Sequence, residues 1–162
     1  MAYTFKHGDR PLDDFTIQRA VGRGGFGEVY YAISDGGREV ALKYLKENPQ
    51  VELRGVSHCI NLKSPHLVSI FDVKKNAEGE YFIIMEYISG PSLRDLLIAE
   101  PKGFAPEKAA FFTREIGKGL AYLGKLSRSG RHHPGRCGSL PRDGAGSLDA
   151  TGARLLRSTG WG

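Results

Sequence analysis

The chain has 162 residues, of which 40% are hydrophobic and 25% charged, the balance of a globular body with a small hydrophobic core. Its net charge is +5, but residues 1–123 hold 16 Lys+Arg against 16 Asp+Glu, so residues 124–162 carry the whole excess and a basic domain is excluded. Two cysteines, Cys59 and Cys137, exclude a disulfide framework or paired-cysteine metal motif, no apolar run nears the roughly 20 residues of a membrane span, and MAYTFKHGDRPLDDF lacks a signal peptide's apolar run, so a cytoplasmic location is expected.

In chain order, Phe15, Ile17 and then Ala20-Val21 predict a first strand. A glycine-rich turn follows, and Val29 to Ile33 predict a second strand. Asp35-Gly36-Gly37 is a hairpin signal, because these residues tolerate positive φ. Glu39 to Leu45 reads as a third strand. Residues 50–63 read as a helix with Leu53, Val56, Ile60 and Cys59 on one face, weakened by Gly55. Leu67 to Val73 is expected to be a fourth strand, Asn76-Ala77-Glu78-Gly79 a turn, and Tyr81 to Tyr87 a fifth and central strand. Ser92-Leu93-Arg94-Asp95 is a capping-box pattern opening a short helix. After Ala105-Pro106-Glu107, the residues Ala109, Phe112, Ile116, Leu120 and Leu123 recur at helical spacing as a single apolar stripe, with Pro106 suited to the first turn.

Beyond Leu123 the composition breaks. Residues 124–162 contain nine glycines and six arginines, and no Val, Ile, Phe, Tyr or Met. Strands and helix cores draw on those missing types, so a disordered or irregular tail is expected.

Two segments carry chemistry. Gly22-Arg23-Gly24-Gly25-Phe26-Gly27-Glu28-Val29 sets glycines at G-x-G-x-x-G spacing, and backbone without Cβ can approach phosphates and point N–H groups at them. The same triplet serves dinucleotide-binding folds only where it opens a helix; here a strand continues, which disfavours that reading. The second is Val40-Ala41-Leu42-Lys43, a lysine amid apolar residues one strand beyond the glycines. Pairing of strands two and three would bring its ammonium beneath the glycine loop, where it can hold phosphates.

Together these segments resemble those of the protein kinase family, with a bacterial serine/threonine-kinase flavour. Gly22 to Val29 is similar to the family's glycine loop and Val40 to Lys43 to its Val-Ala-x-Lys strand. Met85-Glu86-Tyr87-Ile88 resembles the gatekeeper and hinge: Met85 would line the back of the adenine pocket, and backbone near Glu86 to Ile88 would bond the adenine edge. Ser64-Pro65-His66-Leu67-Val68 resembles the segment entering the fourth strand, with Ser64 in place of a histidine. The family pairs its strand-three lysine with a helix glutamate. Counting back from Ser64 reaches Gly55, and Glu52, one turn earlier, is the expected partner of Lys43, with Glu47 the weaker candidate.

The resemblance implies an α+β fold: a small lobe of five antiparallel strands plus one helix, then two helices of a truncated large lobe and a disordered tail. It implies an N-terminal extension over 1–14, a small lobe over 15–88, the hinge exit and first large-lobe helices over 89–123, and the tail over 124–162. It further implies ATP as ligand, held by Gly22, Arg23, Gly24, Gly25, Phe26, Gly27, Val29, Ala41, Lys43, Glu52, Met85, Glu86, Tyr87 and Ile88. Magnesium and a protein Ser/Thr substrate belong to the intact family.

The family's His-Arg-Asp and Asp-Phe-Gly segments, which orient the hydroxyl acceptor and hold magnesium, occur nowhere in the chain. No catalytic or metal-binding residue is therefore expected; Asp143 and Asp149 lie in Gly/Arg/Ser sequence, and His132, His133 and Cys137 match no four-ligand site. A frameshift or truncation past Leu123 would explain the break, and translating the coding DNA past codon 123 in the other frames tests it. Two alternatives stand beside a truncated kinase domain: a non-catalytic nucleotide-binding or protein-interaction module, and nucleic-acid binding through the basic tail with its single aromatic, Trp161. Self-association through an uncovered helix stripe is also expected.

Overall fold

The computed structural model describes residues 2–60 and 62–128. The expectations for residues 129–162, namely the tail, its origin, Asp143, Asp149, His132, His133 and Cys137, lie outside the described residues. The chain divides into two units, the first ending at Gly90 and the second beginning at Pro91.

The first unit holds β1 (Phe15–Gly24), β2 (Gly27–Ser34), β3 (Glu39–Leu45), α1 (Pro49–Cys59), β4 (Ile70–Lys75) and β5 (Tyr81–Glu86). The five strands form one sheet in the order β1-β2-β3-β5-β4, antiparallel throughout. β1, β2 and β3 form the expected meander, the second link turning at Gly37, whose φ of 80° suits glycine. β1 carries two register shifts, between Ile17 and Arg19 and between Ala20 and Gly22. These explain why its apolar residues run Phe15, Ile17 and then Ala20 rather than in strict alternation.

Directly opposed residues of an antiparallel pair share a face, so the register sorts the side chains into two layers. Tyr30 and Ala32 of β2, Val40, Leu42 and Tyr44 of β3, and Phe82 and Ile84 of β5 form one buried layer with Phe15 and Ile17. Phe5 and Leu12, in the segment preceding β1, pack on it, and the Phe5 ring meets Tyr30, Tyr44 and Phe82 at centroid distances of 5.5, 5.2 and 5.9 Å. On the other face, Leu45 and Ile83 pack with Leu53, Val56 and Ile60, as expected from the apolar spacing of α1. Phe82 is fully buried and stacks on Tyr44. Phe82→Ala is expected to cost about 3–5 kcal/mol; an unchanged denaturant midpoint would contradict this core.

Several boundaries differ from the sequence reading. α1 ends at Cys59 rather than near 63, because Ile60 turns extended and forms a parallel bridge with Ile70. β4 begins at Ile70 rather than Leu67: the preceding residues turn, with the Leu67 N–H donating to the Ser64 carbonyl and the His66 N–H to the Ser64 hydroxyl. It runs on to Lys75 because Lys74 and Lys75 pair with Phe82 and Tyr81. The turn at Asn76–Gly79 is present, with Gly79 at φ 86°.

In the second unit, α2 (Leu93–Ala99) carries the expected capping box: the Asp95 N–H donates to the Ser92 hydroxyl, and the Ser92 N–H to the Asp95 carboxylate. α3 (Pro106–Arg128) starts at Pro106 as expected but passes Leu123 to reach Arg128. Gly124 alone does not stop a helix, and Lys125 suits its C-terminal dipole end. Ala109, Phe112, Ile116 and Leu123 are half-buried, whereas Leu120, expected on the same stripe, is 64% exposed. Gly119 and Tyr122 take the covered side at that level, so the stripe runs through Gly119 rather than Leu120. Among the described residues no helix is long and apolar enough to cross a membrane.

Candidate functional site

The β1–β2 hairpin closes over the two-residue turn Gly25-Phe26, with Gly24 opposite Gly27. Gly27 has φ 149°, and a Cβ there would lie 1.9 Å from the Tyr44 carbonyl oxygen, so the fold itself demands glycine. Gly22 is different: a Cβ there would meet nothing within 4 Å. The fold leaves Gly22 free to take a side chain, and the missing Cβ opens space on the hairpin.

Lys43 lies opposite Val29 on one side and Ile83 on the other, and Ala41 lies opposite Met85. Val29, Ala41, Lys43 and Met85 therefore share the sheet face that α1 covers, away from the aromatic layer. Lys43 is only 7% exposed, and its ammonium donates to the Glu52 carboxylate in the first turn of α1. It also lies 5.6 Å from the centre of the Phe26 ring at the hairpin tip. A buried ammonium needs a charged partner, and Glu52 supplies it. The structure thus gathers hairpin, ammonium and carboxylate on one side of the sheet; Glu47 takes no such place and is exposed.

The stretch leaving β5 is tied back to the sheet. The Glu86 N–H donates to the Ser69 carbonyl at 2.8 Å. The Tyr87 ring packs 4.3 Å from Tyr31, and Arg19 donates to the Tyr87 hydroxyl at 2.6 Å. The Tyr31 hydroxyl donates to Glu39, which raises its pKa. Ile88 follows, half-buried. Arg19, Tyr31 and Glu39 were not singled out by sequence, since only the fold brings them beside Tyr87.

Glu28 is the residue that sequence reasoning passed over. It sits inside the glycine motif yet is fully buried. Its carboxylate accepts from Tyr30, from the Thr4 N–H at 3.0 Å, from Arg23 at 2.6 Å and from Lys46 at 3.3 Å. The available signal was parity: Glu28 alternates with Tyr30 and Ala32, which face the aromatic core. Burial pushes the Glu28 carboxyl up, but hydrogen bonds from Tyr30, Thr4 and Arg23 outweigh it and hold it at about 2. A depressed pKa contributes stability above the ordinary carboxyl range that is lost as the pH falls through the folded value. Stability is therefore expected to fall between about pH 4.5 and pH 2, and Glu28→Gln should flatten that part of the profile. Parallel acid-unfolding curves for the two proteins would count against it.

Chemically, a desolvated ammonium beside backbone that can approach closely fits a polyphosphate. Among the described residues, no group of three His, Cys, Asp or Glu side chains is placed to hold a metal ion.

The comparisons with known proteins point the same way. The family described as protein kinase domain matches residues 15–127. Sporulation-specific protein 1 of Saccharomyces cerevisiae is 31% identical over 120 residues, covering 70% of this chain and 24% of the relative. cAMP-dependent protein kinase type 3 of the same yeast is 30% identical over 131 residues, 76% of this chain and 32% of the relative. A serine/threonine-protein kinase of Corynebacterium efficiens is 33% identical over 128 residues, 70% of this chain and 24% of the relative. The chain spans about a quarter to a third of the length of these relatives. With the family match covering most of its length, and the five-stranded sheet with its helix in place, this chain belongs to the protein kinase family.

Proposed function

We propose that residues 15–88 bind ATP as the nucleotide-holding lobe of a serine/threonine protein kinase, with residues 89–123 opening the second lobe. The observation that carries this reading is the buried Lys43–Glu52 ion pair on the hairpin side of the sheet. Lys43 would hold the α- and β-phosphates, oriented by Glu52. The backbone of Gly22 to Gly27, with Phe26 at its tip, would cover the phosphates, whereas the Arg23 side chain, expected among the ligand contacts, is taken up by Glu28 and the Ala2 carbonyl. Val29, Ala41 and Met85 would enclose the adenine, and backbone of Glu86 to Ile88 would bond its edge. The empty space at Gly22, which the fold does not require, supports an approaching ligand there.

ATP supplies the transferable γ-phosphoryl group, and magnesium accompanies it in the intact family. No His-Arg-Asp or Asp-Phe-Gly occurs in the 162 residues, so the reading assigns this chain nucleotide binding and not phosphoryl transfer. A protein substrate and a cytoplasmic setting belong to the same proposal. Exposed Leu97, Ile98 and Leu120 favour self-association through the helices.

Isothermal titration of the full chain with Mg-ATP tests the reading. A saturable one-site isotherm is expected, with no radiolabel transferred to added protein. A flat isotherm would overturn nucleotide binding, and transfer that survives Lys43→Met would overturn the assignment of roles.

A further inference from the structure

The Glu28 network joins two parts of the chain that the nucleotide reading treats separately: the glycine hairpin and the segment before β1. Arg23, between Gly22 and Gly24, donates both to Glu28 and to the Ala2 carbonyl, each at 2.6 Å. The Tyr3 ring lies 5.0 Å from the same guanidinium. Thr4 donates its N–H to Glu28, and its hydroxyl oxygen accepts from the ammonium of Lys46, which follows β3, at 2.9 Å. The N–H groups of Thr4 and Phe5 both reach the Tyr30 hydroxyl at 3.1 Å. Phe5 then anchors the segment on the aromatic layer. Every polar group around the buried carboxylate is thus satisfied by the hairpin, by the end of β3 or by residues 2–5.

We infer that Glu28 is a positioning residue, through which residues 2–5 act as a strap that holds the glycine hairpin in its phosphate-covering conformation. The carboxylate faces away from Lys43, so it touches no nucleotide; it acts through Arg23 and the hairpin backbone. A hairpin of two strands and a glycine turn is a weakly held element by itself. A buried anion with four donors fixes it, because leaving any donor unpaired is costly. With the strap released, phosphate contacts would have to order the hairpin on binding, and affinity would fall while contacts to the adenine would not. The inference rests on the ATP reading for its ligand and on the hydrogen-bond network alone for the hold on the hairpin.

Three variants of the full chain test it: Glu28→Gln, Thr4→Pro, which removes one backbone donor, and Thr4→Ala, which keeps it. Amide hydrogen exchange without ligand reads the hold directly. Exchange over residues 22–27 is expected to rise about tenfold in Glu28→Gln and Thr4→Pro, to match the parent in Thr4→Ala, and to stay unchanged in β3 and β5. Titrations with Mg-ATP and with adenosine read the consequence: about tenfold weaker ATP binding in the first two variants, with adenosine unaffected. Thr4→Pro, at an exposed position, keeps the test available should Glu28→Gln fail to fold. Exchange that is unchanged, or raised evenly across the sheet, overturns the strap. Equal losses for ATP and adenosine overturn the positioning role. A parent chain that binds neither ligand overturns the nucleotide reading, while exchange still decides the strap.

Discussion

Lys43→Met is expected to weaken Mg-ATP binding by about thirtyfold, or ~2 kcal/mol, as measured by isothermal titration. Methionine keeps the length and apolar stem of the side chain and removes only the charge, so packing beneath the hairpin is preserved. The loss has two sources that can be separated. One is the ammonium's own contact with phosphate oxygens. The other is Glu52, which would remain beside the site without its partner and repel an incoming anion. Pairing Lys43→Met with Glu52→Gln removes that repulsion, so the double variant should bind better than Lys43→Met alone. Additive losses would mean that the two side chains act independently. Unchanged affinity in Lys43→Met would remove the ammonium from the site altogether.

Gly27→Ala and Gly22→Ala should part company. At position 27 the new Cβ would run into backbone, the Tyr44 carbonyl, and the φ of 149° is foreign to alanine. β2 would have to leave β3 at its first pair, Gly27 with Leu45. A stability loss of about 3 kcal/mol or more is expected, with much of the chain unfolded at 37 °C. At position 22 there is room, so Gly22→Ala should keep the parent's thermal midpoint while weakening ATP. Equal stability of the two variants would show that the hairpin does not close as described. A Gly22→Ala chain with parental ATP affinity would show that no ligand uses the space there.

The parts legible from sequence were those set by local chemistry. β3 is found at Glu39–Leu45, directly after the hairpin signal Asp35-Gly36-Gly37, and the capping box of α2 appears atom for atom. The Lys43–Glu52 pair exists where counting back from Ser64 and correcting by one helical turn put it. The misread parts depend on partners distant in the chain. α1 stops early because Ile60 is claimed by Ile70, a contact no window around residue 60 contains. Residues 2–12 read as a mere extension, yet Phe5 and Leu12 complete the aromatic layer. Glu28 looked like one variable position of a glycine motif; its role emerges only when residues 2–5 lie across the sheet. Leu120 shows a different error: the covered position at that turn is Gly119, which has no side chain to mark it, and the apolar Leu120 beside it was read in its place.

The strand order has a consequence for synthesis. β3 is buried from Val40 to Leu45 and sits at the middle of the sheet, yet its two neighbours are made at very different times. β2 precedes it by one short turn, whereas β5 follows only after residues 46–80. During that interval the nascent chain presents an apolar strand with one side of its backbone unsatisfied, a template for pairing with the same strand on a neighbouring polysome. That exposure lasts until β5 is also free to pair, so its length follows from the residues that separate Leu45 from Tyr81.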